Sequence, residues 1–191
     1  MYHIMNKDRI IAEFVYVQNE LGTAVPQLVS GSLPTIYSDM KLKSWLETRR
    51  SAKHRAEIAR MLRNLGMTDI KSFIDISLGL TLTDTLWVKK EHSDSTWADV
   101  NLYDNEFSEI VSQTAFMGGI SDLSFKTTSP EYGTDGMLPK CWIRRNNGVY
   151  LLKGGTKGFN GAGYEPYSEF FVSQLEDALG IEHIEYNLDC Y

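Results

Sequence analysis

The sequence predicts an α+β fold, and three observations lead to this prediction. Residues 2–17 contain two apolar-rich runs around the polar triplet at 6–8, a pattern typical of a β-hairpin. The middle of the chain has apolar residues at helical spacing between capping residues and glycines. Residues 140–153 form a second hairpin pattern around an Asn-Asn-Gly turn. Together they predict an N-terminal hairpin and helical subdomain, followed by an antiparallel sheet with one packed helix.

Composition favours a globular cytoplasmic protein. The chain has 191 residues, of which 42% are hydrophobic and 23% are charged. No apolar run approaches ~18 residues, and the N-terminus lacks a basic-then-apolar signal sequence, so no membrane partner is expected. Cys141 and Cys190 are the only cysteines, which favours a reduced compartment, with a disulfide between them as the alternative.

Charge is divided unevenly along the chain, whose net charge is −6. Residues 1–66 hold 10 Lys and Arg against 6 Asp and Glu, whereas residues 67–191 hold 9 against 19. This asymmetry predicts two modules, or one module with a polar asymmetry. For two modules, the predicted turn at Gly118-Gly119 sets the boundary, which gives 1–118 and 119–191. The basic stretch from Lys41 to Arg63 is compatible with DNA binding, but a solvated helix face is favoured because the whole chain is acidic. Direct binding of nucleic acid is therefore not expected.

The first module is predicted to be mainly helical after its hairpin. A loop is predicted from Asn19 to Pro26, and residues 83–89 are predicted to be a turn that leads into a strand. Acidic side chains such as Asp84 are better explained by caps and turns than by a metal site. Four helices are predicted, from Ser38 or Asp39 to Thr48, from Ser51 to Gly66, from Thr68 or Asp69 to about Leu78, and from Asp104 or Asn105 to about Gln113.

In the second module a glycine-containing loop leads into the hairpin. Gly133 and Gly136 lack a Cβ, which would let backbone N–H groups of the loop approach an anion. Strands are predicted for 140–145 and 149–153, and Lys153 at the end of the second is either an edge cation or a phosphate ligand. A glycine-rich linker follows, then a helix with Pro166 in its first turn and Gly180 at its end, then a strand over 181–188. The buried stripe predicted for this helix consists of Tyr167, Phe170, Phe171, Gln174, Leu175 and Ala178.

These residues, taken in order, resemble the N-terminal lobe of HipA-like serine/threonine kinases. The resemblance covers roughly residues 129–188. It consists of Thr-Asp-Gly-Met-Leu-Pro-Lys at 134–140, Gly-Val-Tyr-Leu-Leu-Lys at 148–153, Ser-Glu at 168–169 and Ala-Leu-Gly-Ile at 178–181. Because this lobe binds ATP in these kinases, the resemblance implies that the chain is the ATP-binding part of a transferase. The family includes the toxins of toxin–antitoxin pairs.

The resemblance also implies a set of nucleotide-binding residues. Lys153 would contact the α- and β-phosphates of ATP, with Glu169 as its ion-pair partner. No H-R-D or D-F-G sequence follows Lys153, so phosphoryl transfer with Mg is expected only when a second lobe completes the site. The alternative is a non-enzymatic regulatory subunit, or an antitoxin-like one, that binds a protein partner. The full set of predicted nucleotide-binding residues is Gly133, Thr134, Gly136, Lys140, Lys153 and Glu169.

Overall fold

A computed structural model of the chain describes residues 1–50, 60, 63–64, 66, 68–117, 129–145, 148–156 and 163–189. It confirms the α+β class: the described residues contain helices, a four-stranded antiparallel sheet and a separate two-stranded one. Most of the helix predicted from Ser51 to Gly66 lies outside the described residues. So do Cys190, on which the disulfide alternative depends, and most of the glycine-rich linker.

Four strands form the larger sheet: β1 (Tyr2–Asn6), β2 (Arg9–Gln18), β3 (Ala24–Gly31) and β4 (Leu86–Lys90). Their order across the sheet is β3-β2-β1-β4. The predicted N-terminal hairpin is confirmed, since β1 pairs antiparallel with β2 from Tyr2 opposite Phe14 to Asn6 opposite Arg9. The loop predicted over 19–26 is wrong at its end, because strand β3 begins at Ala24 and accommodates Pro26 at the edge of the sheet.

Helices of the first module differ from the predictions mainly at their ends. The Asp69 cap is confirmed, since the Asp69 carboxylate accepts a hydrogen bond from the Ser72 amide. At the other end of this helix Leu78, one residue before Gly79, has a left-handed backbone conformation with φ 53°. The helix predicted from Ser38 or Asp39 starts later, at Leu42, because Lys41 before it has an extended backbone with ψ 146°. Residues 35–37 form a separate 3-10 turn. The described helices are α1 (Leu42–Thr48), α2 (Ile70–Ser77), α3 (Trp97–Val100), α4 (Glu109–Met117) and α5 (Glu165–Leu179).

The start predicted for α4 at Asp104 or Asn105 is wrong, because side-chain hydrogen bonds hold this segment as a turn. The Asn101 side chain accepts from the amides of Tyr103 and Asp104, at 2.9 and 2.8 Å. The Asn105 amide group in turn donates to the carbonyls of Ala98 and Asn101. These side chains compete with helix formation for the backbone groups of the segment.

The strand pairing predicted for the second hairpin is confirmed, while Asn146 and Asn147 of its predicted turn lie outside the described residues. Strand β5 (Lys140–Arg145) pairs antiparallel with β6 (Gly148–Lys153), and Lys140 lies opposite Lys153. The main hydrophobic core contains side chains from both sides of residue 118, including Phe73 of α2, Val111 of α4 and Cys141 of β5. The division of the chain into two modules at that residue stays a prediction.

The orientation of α5 (Glu165–Leu179) contradicts the buried stripe predicted for it. Tyr167, Phe171 and Leu175 are exposed, whereas Ser173 is the buried residue of the helix. The reason is that polar groups of the inward face bind the rest of the protein, as described below. The strand predicted over 181–188 is also wrong, because residues 181–189 have no regular secondary structure.

Candidate functional site

Lys153 occupies the end of β6, and its ammonium lies between two side chains. Its Nζ is 2.9 Å from Oε2 of Glu169 on α5, so the ion pair implied by the family resemblance is present. Tyr186 provides a second partner, with its hydroxyl 2.8 Å from Nζ. The ammonium also lies 4.8 Å from the centre of the Tyr186 ring, a cation–π contact. Strand, helix and C-terminal segment therefore meet at one cation.

The Lys153 ammonium retains its charge in this environment. Burial works against the charged form, but the hydrogen bonds to Tyr186 and Glu169 outweigh burial, so the pKa of Lys153 is raised. An ammonium has three N–H donors, and among the described residues Glu169 and Tyr186 accept two of them. The third donor is compatible with an acceptor from outside the chain, such as a phosphate oxygen.

Lys140 brings a second ammonium to the same end of the hairpin. It is the direct cross-strand neighbour of Lys153, and such neighbours have Cβ atoms roughly 4.5–5.5 Å apart on one face of the sheet. The Nζ of Lys140 approaches Gly136 closely enough that a Cβ on that glycine would collide with it. Gly136 itself has φ 93°, a conformation that favours glycine. The two ammonium groups repel each other, and an anion beside them would reduce this repulsion.

The earlier part of the glycine loop is held by internal contacts. The Gly133 amide donates to the Pro130 carbonyl, and Gly133 packs against backbone of Arg49 and Leu80. The Thr134 hydroxyl donates to the Pro130 carbonyl at 2.7 Å and accepts from Trp142 Nε1 at 2.8 Å. In this structure Gly133 and Thr134 fix the loop, and their contact with a nucleotide stays a prediction.

Glu131 is a residue of the site that the sequence did not single out. Its side chain is fully buried, and Oε1 accepts from the Trp142 amide at 2.8 Å and the Ser112 hydroxyl at 3.0 Å. Oε2 accepts from the Ser129 hydroxyl. The Ser112 hydroxyl also lies 3.1 Å from the Trp142 carbonyl. Glu131 and Ser112 therefore provide hydrogen-bond partners for the amide and the carbonyl of Trp142, on the edge of β5 that faces away from β6. Glu131 thus fastens the glycine loop to β5 and α4.

Tyr186 was missed as well, because it lies in a segment predicted to be a strand. Nothing in its sequence neighbourhood marks a tyrosine 33 residues after Lys153 as its neighbour. Only the return of residues 181–189 beside α5 brings the two together. The Tyr186 amide and the His183 ring both contact the Ser173 hydroxyl, at 3.2 and 3.0 Å, and this fixes the returning segment.

The positively charged groups at this end of the hairpin suit an anionic ligand. Two ammonium groups and a glycine turn suit an anion. Among the described residues no group of three or more His, Cys, Asp or Glu side chains is placed to hold a metal ion. A shallow concavity of about 430 Å³ lies elsewhere and contains none of the predicted nucleotide-binding residues; it is lined by Ile36, Tyr37, Asp39, Met40, Lys41 and Ser44.

Comparisons with known proteins found no matching family model, no matching curated protein and no matching solved structure. In the part of the chain that the structure describes, no helix is both long and apolar enough to cross a bilayer.

Proposed function

We propose that this chain is the N-terminal, nucleotide-binding lobe of a HipA-like protein kinase. The observation that carries the proposal is the ion pair between Lys153 at the end of β6 and Glu169 of α5. Protein kinases use such a strand lysine and helix glutamate to hold the phosphates of ATP. The neighbouring Lys140 adds positive charge at the same end of the hairpin, next to the turn at Gly136, whose amide donates to the Asp135 carboxylate at 2.7 Å.

In this proposal the chain binds and orients the nucleotide, and a second lobe supplies the chemistry. Lys153 would hold the α- and β-phosphates, with Glu169 fixing the direction of its side chain. Lys140 would neutralise phosphate charge next to Gly136. The residues after Lys153 contain neither H-R-D nor D-F-G, so the catalytic aspartate and the Mg ligands are assigned to the second lobe.

A thermal-shift titration with ATP tests the proposal. Ligand bound only to the native state stabilises it by RT ln(1 + [L]/Kd), about 1.4 kcal/mol at ten times Kd. Wild type should show a rise in Tm with ATP, and Lys153→Ala should abolish that rise. The matched control is Lys43→Ala, which removes an exposed lysine of α1 (Leu42–Thr48) and should keep the full rise. An absent rise in wild type, or an equal rise in Lys153→Ala, would refute nucleotide binding at Lys153.

The alternative is a non-enzymatic subunit that regulates a protein partner. The observation that favours it is the outward apolar face of α5, because exposed aromatic and aliphatic side chains at helical spacing are typical of a protein-binding surface. Under this alternative ATP leaves the Tm of wild type unchanged.

A further inference from the structure

Helix α5 (Glu165–Leu179) is turned so that its polar side faces the protein and its apolar side faces solvent. On the inward side Glu165 accepts from the Thr156 amide, Glu169 binds Lys153, and Ser173 is buried. These three residues are four apart and therefore lie on one helix face. The outward side carries an apolar stripe at three- and four-residue spacing: Tyr164 just before the helix, then Tyr167, Phe171, Leu175 and Leu179.

This outward stripe is strongly exposed. Tyr167 is 59%, Phe171 68% and Leu175 49% accessible to solvent. An ordinary amphipathic helix buries such residues against the core. Here the inward face makes the ion pair and the hydrogen bonds of Ser173, and the stripe remains exposed in the part of the chain that the structure describes.

The segment after the helix enlarges the same surface. Residues 181–189 return beside α5, where the Tyr186 amide contacts Ser173. Their apolar side chains are exposed too: Ile181, Ile184 and Leu188. We call the exposed apolar side chains of 164–188, including Val172, the α5 surface.

The α5 surface is large enough for a stable interface. A fully exposed large apolar side chain presents on the order of 150–200 Å², so the helix stripe alone presents roughly 500 Å². The largest apolar patch of a typical monomer is roughly 300–600 Å². With the returning segment the area reaches roughly 800 Å², about what one partner contributes to a standard protein–protein interface.

Charge determines what kind of partner fits. Residues 164–189 contain seven Asp and Glu and no Lys or Arg. Three of the seven contact the rest of the protein, since Glu165, Glu169 and Asp189 bind Thr156, Lys153 and Arg145. The other four lie in the C-terminal half of the helix and in the segment that follows it: Glu176, Asp177, Glu182 and Glu185. A second copy of the chain would bring these acids against each other, and anionic lipid would repel them.

We infer that the α5 surface is a docking site for another protein, whose contact surface is an amphipathic segment with apolar residues at its centre and Lys or Arg at its rim. Apolar contact supplies the buried area, and the basic rim pairs with the acidic border. The inference goes beyond nucleotide binding and does not depend on it.

A pair of synthetic helical peptides tests the inference. Both have about 20 residues, enough for helix formation on binding, and both carry leucines at three- and four-residue spacing. One has flanking lysines and the other has glutamates at the same positions. Wild type should bind the lysine peptide in fluorescence anisotropy, bind it more weakly at high salt, and bind the glutamate peptide at least tenfold more weakly. Hydrogen exchange should slow in residues 164–189 when the lysine peptide is bound.

Matched variants locate the site. Phe171→Ser combined with Leu175→Ser should weaken binding of the lysine peptide by about tenfold or more, because central apolar side chains dominate interfaces. Leu179→Ser provides a milder variant on the same stripe. The control is Leu21→Ser, which removes an apolar side chain that is 88% exposed in the turn between β2 and β3, and it should bind as wild type does.

Several results would overturn the inference. These are no binding of the lysine peptide, equal binding of both peptides, or equal binding by wild type and the double variant. A wild-type dimer that the double variant dissociates, seen by sedimentation, would assign the surface to a second copy instead. Because Phe171 and Leu175 face away from Lys153, the double variant should keep the ATP response of wild type, so the two proposals fail separately.

Discussion

Replacing Glu131 with alanine should destabilise the protein more than replacing any exposed glutamate with alanine. Its carboxylate is fully buried and accepts from the Trp142 amide and from the hydroxyls of Ser112 and Ser129. Alanine removes this acceptor. In the variant the Ser112 hydroxyl can still donate to the Trp142 carbonyl. The Trp142 amide, however, loses its acceptor, which in wild type is Oε1 of Glu131.

The size of the effect follows from these contacts. A buried amide without its acceptor costs roughly 1–3 kcal/mol. The space left by the carboxylate and one methylene adds about 1 kcal/mol. We therefore expect a loss of about 3 kcal/mol near pH 4.5, or roughly 6–12 °C in Tm for a chain of this length, and a smaller loss at higher pH, where wild type bears the cost of burying the charged carboxylate. Urea and thermal unfolding followed by circular dichroism measure it, with the exposed Glu106→Ala as a control that should stay within about 0.5 kcal/mol of wild type.

Glu131→Gln separates the hydrogen bonds of this side chain from its charge. Burial raises the pKa of Glu131 above its ordinary value of 4.5, although its hydrogen-bond donors act in the opposite direction. Between 4.5 and the raised pKa the native state binds more protons than the unfolded state, so this carboxyl lowers stability as pH rises. Glutamine keeps the shape and does not titrate.

The stability of Glu131→Gln relative to wild type should therefore increase as the pH is raised above 4.5. The measurement is urea unfolding of both proteins at a series of pH values. Parallel pH profiles for the two proteins, or a Glu131→Ala variant as stable as Glu106→Ala, would show that the carboxyl is not the buried acceptor described above.

Three further substitutions test other parts of the fold, each by urea unfolding. Gly133→Ala should cost about 1–3 kcal/mol, because its Cβ would lie 3.3 Å from the carbonyl oxygens of Arg49 and Leu80; wild-type stability would exclude this close packing. Arg49→Met should cost about 3 kcal/mol, because it leaves the mostly buried Asp84 carboxylate without the guanidinium 2.7 Å away, and a loss under 1 kcal/mol would contradict this. Lys7→Gly should stabilise by up to about 1 kcal/mol, since Lys7 has φ 52° in the turn between β1 and β2; a destabilised variant would argue against the strain.

Local signals predicted the elements that depend on neighbouring residues. The two hairpins follow from apolar runs around polar turns, and the start of α2 follows from Asp69 three residues before Ser72. The pairing of Lys153 with Glu169 was predicted only through the family resemblance. Its two residues are 16 apart and join a strand to a helix, so no local pattern specifies their contact.

The features that were missed depend on contacts between distant parts of the chain. Strand β3 reads as a loop because it contains Pro26, and it becomes a strand only by pairing with β2. Glu131 lies in a polar stretch, and its burial depends on Ser112, which is 19 residues away. Periodicity alone identifies an apolar stripe on a helix but not whether that stripe faces inward.

The inverted orientation of α5 connects the two proposals. Glu169 and Ser173 share one face of the helix, while Phe171 and Leu175 share another. A rotation that buried the apolar stripe against the protein would carry the Glu169 carboxylate away from Lys153 and the Ser173 hydroxyl away from Tyr186. The ion pair therefore requires that the stripe face outward. A protein that covers the α5 surface stabilises this orientation over the alternative, because it buries the apolar area without breaking the ion pair.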